Sequence, residues 1–148
     1  MSSTVTLHRV VKAPPERVFR AFTDAAAQAK WLAPRAFTFT VHEMDVRKVG
    51  SYRMSFTNFA SGQTHGFSGK YIVIIPDQKL QYTDVFDDPN LPGTLTTTVE
   101  LAEVSCGTEL RITQDNIPAA IPPEMCYLGW QDSLDQLLAL VETAPPAG

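Results

Sequence analysis

The sequence predicts an α+β domain in which a series of antiparallel strands precedes one long C-terminal helix. Two observations carry this prediction. In several segments between residues 4 and 114, apolar side chains recur with a period of two, as in strands that bury one face. From Pro122 to Val141 the period becomes that of a helix. No repeat or composition shift divides the 148 residues, so we expect one domain over residues 1–148, with a disordered tail at 144–148.

The first strand is followed by two short helices. Thr4 to Val11 alternates and is rich in β-branched residues, and the strand is expected to end before Pro14-Pro15. The two prolines suit the first turn of a helix. Asp24 is a good N-cap for a second helix from Ala25 to Leu32, whose alanines favour helix.

Six more strands complete a predicted sheet of about seven. Each run places alternate side chains on one face and ends at a turn sequence such as Pro76-Asp77-Gln78 or Cys106-Gly107. The six sets that share a face are Phe37, Phe39 and Val41; Tyr52, Met54 and Phe56; His65, Phe67, Gly69, Tyr71, Val73 and Ile75; Leu80, Tyr82, Asp84 and Phe86; Leu95, Thr97, Val99 and Leu101; and Leu110, Ile112 and Gln114.

Composition and charge exclude several classes of protein. With 44% hydrophobic and 19% charged residues, the chain is typical of a globular protein. A net charge of −4 without a Lys/Arg run argues against nucleic acid as a partner. Since no apolar run approaches the roughly 18 residues of a membrane span, we expect no membrane partner. The two cysteines, Cys106 and Cys126, lack metal-ligand or paired spacing, so we expect free thiols in a cytoplasmic protein with no metal and no cofactor.

Four phrases, in this order and spacing, resemble a known family. They are Ala13-Pro14-Pro15-Glu16-Arg17-Val18-Phe19-Arg20-Ala21-Phe22-Thr23-Asp24, Glu43-Met44-Asp45-Val46-Arg47, Gly69-Lys70-Tyr71 with Pro76 and Leu80, and Gly129-Trp130 with Leu134 and Leu137. They resemble the START-like (SRPBCC) superfamily, and within it the family similar to the C-terminal domain of the activator of heat shock protein ATPase.

The resemblance implies a helix-grip fold, in which the long helix packs on the concave face of a curved antiparallel sheet. It also implies a cavity between sheet and helix, with substrates that differ from member to member. The full co-chaperone has a further N-terminal domain that engages the chaperone, and 148 residues leave no room for it. A chaperone partner is therefore possible but the least expected alternative.

Aromatic side chains with a few polar ones form the predicted wall of this cavity, the usual constitution of small-molecule sites. Polar residues on otherwise apolar faces stand out, because a buried polar group without a partner costs about 1–3 kcal/mol. Asp84 is expected either in the cavity or at a solvated strand end, whereas Gln114 and Tyr82 are the better candidates. The full set of predicted cavity residues is Trp31, Phe39, Tyr52, Met54, Phe56, His65, Phe67, Tyr71, Tyr82, Asp84, Phe86, Gln114, Trp130 and Leu134.

The histidines and cysteines offer no complete catalytic set. His8 and His42 are expected in solvent, and His65 either faces the cavity or lies at a solvated hairpin end. Cys126 lies in the first turn of the long helix, where the helix dipole lowers a thiol pKa, although a half-buried filler is the more ordinary role. Gly129 costs its helix about 1 kcal/mol and therefore needs a packing or functional reason.

Three functions follow, and the sequence leaves the choice open. The first is binding or carrying a small hydrophobic or aromatic molecule, by a monomer or a homodimer. The second is an enzyme resembling polyketide cyclases, in which His65, Tyr82 or Asp84 acts as acid or base on a bound carbonyl compound. The third is a stress-related module that acts on a chaperone through its surface. The incomplete catalytic set favours a protein that is not an enzyme.

Overall fold

A computed structural model of the protein describes residues 3–142, so the tail predicted at 144–148 lies outside the described residues. Its elements follow the predicted order and confirm the α+β helix-grip fold. They are β1 (Ser3–Val11), α1 (Pro15–Thr23), α2 (Ala25–Trp31), β2 (Phe37–Met44), β3 (Ser51–Asn58), β4 (Thr64–Ile75), β5 (Lys79–Phe86), β6 (Lеu95–Val104), β7 (Gly107–Ile117) and α3 (Pro123–Val141).

The seven strands form one antiparallel sheet in the order β1-β7-β6-β5-β4-β3-β2. The chain therefore crosses from one edge strand to the other between β1 and β2, and α1 and α2 make this crossing. From β2 it returns strand by strand until β7 pairs with β1. The helix α2 packs against β2, α3 packs against β1, and α2 and α3 contact each other. Within residues 3–142, no helix combines the length and apolarity of a membrane span.

The junction of α1 and α2 is held by two side chains. Asp24 caps α2 as predicted, since its Oδ1 accepts a hydrogen bond of 2.9 Å from the Ala27 N–H. Trp31 is fully buried, and its Nε1 donates to the Ala21 carbonyl oxygen at 2.8 Å. Its ring meets Phe22 edge to face, with 4.8 Å between ring centroids. These contacts fix α2 against α1.

Two β-bulges change which side chains face the helices. The pairing of β2 with β3 shifts between Val41 and Glu43, and that of β4 with β5 shifts between Tyr71 and Val73. The prediction that Val73 and Ile75 continue the face of Tyr71 is therefore wrong. The extra residue in β4 reverses the alternation, so that Ile74 packs on the core while Ile75 is 43% exposed.

The core is densely packed at one end of α3. Leu134, Leu137 and Val141 are at most 3% exposed and belong to one apolar cluster with β1, β6 and β7. In the first turns of α3, by contrast, Met125 and Leu128 are 61% and 58% exposed. The helix thus grips the sheet with its second half, and its first half lies over the site described next.

Candidate functional site

A cavity of about 220 Å³ lies between the sheet and the helices α2 and α3. Strands β2 to β5 and β7 supply one wall, and the end of α2 with the first half of α3 supplies the other. Among the predicted residues, those that line it are Phe39, Tyr52, Met54, Phe56, Phe67, Tyr71, Tyr82, Asp84, Phe86, Gln114 and Trp130.

Three predicted residues lie elsewhere. Trp31 is buried between α1 and α2, where it locks the two helices together. Leu134 is 1% exposed and packs in the core, since Trp130 and Ser133 take the cavity side of α3. His65 is half-buried at the start of β4, with its ring 5.3 Å from that of Phe56.

His65 lies on the face of the sheet that carries the cavity, but its position along β4 is beyond the end of the cavity. It pairs with Phe56, so both project from the same side of the sheet. Phe56 and Phe86 line both the cavity and an outer groove, whereas His65 lines only the groove, together with Asp87 and Asp88. Strand register predicts a face, but it does not say where along the strand a cavity ends.

Some of the lining side chains were not predicted. Gln28, Leu32 and Pro34 come from α2 and the segment after it. Gln28 lies one helical turn before Trp31, so the two side chains share a face of α2. The large apolar side chain of Trp31 was the signal in the sequence that this face is buried. Cys126, Gly129 and Ser133 also line the cavity, and this position gives Gly129 the packing or functional reason that its helical cost requires.

Aromatic rings in edge and tilted contact form most of the sheet wall. The Tyr52 ring centroid lies 5.3 Å from that of Tyr71 and 6.0 Å from that of Tyr82. Phe67 lies 6.0 Å from Phe39 and 6.3 Å from Phe86. The Tyr52–Tyr82 and Phe67–Phe86 pairs are edge to face, an arrangement that the charge distribution of aromatic rings favours, and the other two pairs are tilted.

Asp84 is the acidic group of this wall. It is 9% exposed, and its Oδ1 accepts a hydrogen bond from the Tyr52 hydroxyl, which also contacts the Thr83 carbonyl oxygen. Burial raises the pKa of Asp84 to about 6, against the smaller lowering effect of the Tyr52 hydrogen bond. Burial, and then the charge on Asp84, raise the pKa of Tyr82 and Tyr71. Asp84 is thus the lining group that titrates near neutral pH.

Hydrogen bonds fasten the helices to the walls of the cavity. Trp130 Nε1 donates to Gln114 Oε1 at 3.2 Å, and Gln114 Nε2 donates to Thr97 Oγ1 at 3.2 Å. Ser133 Oγ donates to the Leu32 carbonyl oxygen at 2.6 Å. The polar side chains of α3 are therefore used to hold the helix against β7 and α2.

Gln28 is the exception to this pairing. Its side chain is 3% exposed, and Nε2 donates to the Phe22 carbonyl oxygen at 2.9 Å. Its Oε1 is buried and has no hydrogen-bond partner, alone among the buried side-chain nitrogen and oxygen atoms of the described residues. Buried polar atoms nearly always have a partner, so this oxygen marks an unfilled acceptor in a residue of the cavity wall.

The thiols and the remaining histidines lie in ordinary settings. Burial raises the pKa of the half-buried Cys126 thiol, which agrees with the role of a half-buried filler and not with the alternative of a thiol activated by the helix dipole. Cys106 is exposed in its turn. His42 is exposed and hydrogen-bonds through Nε2 to Ser55 Oγ at 2.7 Å, and His8 lies 3.4 Å from Glu109 on the surface. In the described part of the chain, no three His, Cys, Asp or Glu side chains are grouped as metal ligands would be.

The fold and cavity together define the class of helix-grip proteins, in which an antiparallel sheet and a long C-terminal helix enclose a pocket. Residues 12–142 match the model of the family described as "Activator of Hsp90 ATPase homolog 1-like protein". The chain belongs to this family. No curated protein sequence matches it significantly.

Solved structures agree with this assignment. A crystal structure of a protein from Chromobacterium violaceum is 57% identical, with a TM-score of 0.94 over 95% of this chain and 98% of that one. A Rhodobacter sphaeroides protein is 23% identical, with a TM-score of 0.82 over 95% and 92%. An AHSA1-like protein from Aeromonas hydrophila is 21% identical, with a TM-score of 0.77 over 95% and 92%. The two more distant structures support the fold alone.

Proposed function

We propose that the protein binds a small apolar or aromatic molecule in the cavity between sheet and helix. The observation that carries the proposal is the cavity itself. A cavity of about 150 Å³ lined by apolar side chains is enough to bind benzene. At about 220 Å³, this one is large enough for a molecule of one to two rings.

The composition of the wall supports this proposal. Most lining residues are aromatic or aliphatic, with a few polar groups such as Asp84, Gln114 and Gln28, as in sites that use polar atoms to orient an apolar ligand. Gly129 is part of the wall, and a Cβ atom built there would meet only Pro34 Cγ, at 3.9 Å. The missing side chain therefore leaves space that belongs to the cavity.

Filling that space tests the proposal. We expect 2-methylnaphthalene to shift backbone amide NMR signals around the cavity in the wild-type protein, and Gly129→Phe to abolish the shifts. Leu128→Phe is the matched control, because Leu128 precedes Gly129 but is 58% exposed and outside the wall. Native mass spectrometry of the protein purified from its own cells provides a second readout, a co-purifying molecule. A wild-type protein that carries no molecule and does not respond to the probe overturns the proposal.

The setting of Asp84 favours a second candidate, an enzyme that acts on a bound carbonyl compound. A buried carboxyl with a pKa of about 6, hydrogen-bonded to the Tyr52 hydroxyl, has the properties that general acid–base catalysis needs. His65 has no part in it, since it lies in the outer groove. If the protein is an enzyme, Asp84→Asn should retain a molecule of different mass from that retained by the wild type. Equal masses favour a carrier.

Two finer parts of the proposal concern its setting. We expect binding to take place in the cytoplasm, because Cys106 and Cys126 are free thiols. The chaperone-linked alternative rests on the family description alone. Failure to bind Hsp90 at micromolar concentration would count against it.

A further inference from the structure

A row of four polar side chains crosses the inner face of the sheet from β7 to β4. In the strand register, Gln114 lies opposite Thr97, and Thr97 lies opposite Tyr82. Tyr82 in turn lies opposite Tyr71. Trp130 of α3 joins the row at its β7 end. Directly opposite side chains project from the same face and are close neighbours, so the hydrogen bonds of the row can be followed from strand to strand.

These hydrogen bonds all have the same direction. Trp130 Nε1 donates to Gln114 Oε1, and Gln114 Nε2 donates to Thr97 Oγ1, each at 3.2 Å. The Thr97 hydroxyl accepts there and keeps its own hydrogen for the next residue, Tyr82. Burial and the charge of Asp84 raise the pKa of Tyr82, while a hydrogen bond from the Thr97 side chain lowers it, as a donor to the phenol oxygen does. The Tyr82 O–H is therefore the last donor of this chain.

Within residues 3–142, neither the Tyr82 hydroxyl nor that of Tyr71 opposite it has an acceptor. Asp84 raises the pKa of both tyrosines through its charge, but its side-chain hydrogen bond is with Tyr52. Among the described residues, Gln28 Oε1 is the one side-chain polar atom that is both sealed from solvent and unpaired. The two hydroxyls, which are unpaired but not sealed, therefore keep accessible surface. Because both tyrosines line the cavity, a molecule inside it can reach them.

The charge of the wall limits which acceptor these donors can bind. Asp84 is the acidic side chain of the wall, and the described lining residues include no Lys, Arg or His that would balance an anion. A carboxylate ligand would lose its hydration and meet a like charge in a poorly hydrated space. The acceptor that fits is therefore neutral. A carbonyl oxygen is such an acceptor, and its two lone pairs suit two donors.

We propose that the ligand is a neutral aromatic carbonyl compound, such as a ketone or an aldehyde, whose oxygen accepts hydrogen bonds from the Tyr82 and Tyr71 hydroxyls. This inference rests on the proposed function and adds to it a ligand class and the groups that bind it, for a carrier and for an enzyme alike. The energetic reason is that a purely apolar ligand displaces water and leaves the two hydroxyls unpaired, whereas a carbonyl oxygen pairs with them. Sites built to pair with a polar group of the ligand discriminate strongly against analogues that lack it.

Three probes of one ring system and similar shape test this preference at pH 7, with affinities measured by NMR titration. 2-Acetylnaphthalene carries the carbonyl group, 2-isopropenylnaphthalene replaces the carbonyl oxygen by a CH₂ group, and 2-naphthoate is an anion. We expect wild-type protein to bind the ketone about ten-fold more tightly than the alkene, and 2-naphthoate most weakly. Transfer from water alone favours the alkene, so a preference for the ketone must come from the wall.

A double variant assigns the preference to the two hydroxyls. Tyr71→Phe combined with Tyr82→Phe keeps both rings and removes both donors. We expect its affinity for the alkene to stay close to that of the wild type, which shows that the cavity is intact, and its preference for the ketone to disappear. Tyr127→Phe is the matched control, because it makes the same change at a residue that is 40% exposed and outside the wall, and it should keep the preference. If the double variant does not fold, the three affinities of the wild-type protein decide the question.

Each outcome has a distinct meaning. Equal or tighter binding of the alkene or of 2-naphthoate by the wild type overturns this inference and leaves the proposed binding function standing. A preference that survives in the double variant, or that is lost in Tyr127→Phe as well, overturns the assignment to the Tyr82 and Tyr71 hydroxyls. If neither these three probes nor 2-methylnaphthalene binds, the proposed function fails and the inference fails with it.

Discussion

Asp84 is a carboxyl group held in an apolar wall, where its charged form is poorly solvated. Its pKa is raised from 3.8 to about 6 in the folded protein. The unfolded chain therefore loses this proton first, and the stability that Asp84 contributes below about pH 4 is lost as the pH rises through 6. The difference corresponds to on the order of 3 kcal/mol. We expect urea denaturation to show Asp84→Asn gaining this much relative to wild type between pH 4 and pH 8.

Asp87→Asn is the control variant, because the pKa of Asp87 is shifted in the direction opposite to that of Asp84. Asp87 is exposed and lies 2.5 Å from Arg53, whose hydrogen bond holds the pKa of Asp87 below its usual value. Its contribution is fully present above about pH 4 and is lost only as the pH falls further, so Asp87→Asn should be less stable than wild type by a constant amount between pH 4 and pH 8, while Asp84→Asn gains stability over that range. Two variants that follow the same pH profile would show that the Asp84 carboxyl is hydrated.

At the scale of elements, replacing glycine by alanine should change the free energy of unfolding in opposite directions at two positions, Gly129 and Gly69. Gly129 in α3 has room for a methyl group, with Pro34 Cγ 3.9 Å from the added Cβ. Gly129→Ala should therefore stabilise the protein by about 0.5–1 kcal/mol through helix propensity.

In β4, a Cβ on Gly69 would collide with the Thr83 carbonyl oxygen and lie 2.6 Å from the Tyr52 hydroxyl. Gly69→Ala should cost about 1–3 kcal/mol.

The measurement for both variants is the free energy of unfolding in urea. A Gly129→Ala protein less stable than the wild type would mean that α3 closes on Pro34 more tightly than the structure shows. For Gly69, Ser68→Ala is the matched control, because it changes a neighbouring residue of the same strand that is half-buried and lies on the other face of the sheet. Equal losses in the two β4 variants would contradict the proposed collision.

The helices and strands could be predicted from the sequence where the residues that determine them are neighbours along the chain. Asp24 and the prolines mark helix ends by chemistry that acts within one turn, and the strands follow from alternation. The bulge between Tyr71 and Val73 has no such signal. It depends on how β4 pairs with β5, so the inward side chain Ile74 could not be distinguished from Ile75.

At the scale of the whole molecule, the candidate site was predictable where a strand face or the apolar stripe of α3, which includes Trp130, identifies it. Tyr82, Asp84 and Gln114 line the cavity because their strands turn one face to the helices. Gln28 lines it for a different reason. The chain crosses from β1 to β2 through α2, which brings a residue near the start of the chain against the first half of α3, and local periodicity contains no information about that distance.

The same architecture predicts that α3 is unevenly stable along its length. Leu134, Leu137 and Val141 are buried in the core, whereas the first turns lie over the cavity and leave Met125 and Leu128 largely exposed. Local opening costs least where few apolar contacts are lost, so amides 127–131 should exchange with solvent at least about ten-fold faster than amides 135–140. Hydrogen exchange read by NMR measures both groups.

A molecule in the cavity should change only one half of this helix. Saturating 2-methylnaphthalene adds contacts to the wall that contains Cys126, Gly129 and Trp130, and it has none to add around Leu137, which is already fully buried. We therefore expect slower exchange at 127–131 and little change at 135–140, because a ligand stabilises the states that bind it. Uniform protection along α3 that the probe leaves unchanged would contradict both the uneven grip and the binding site beneath it.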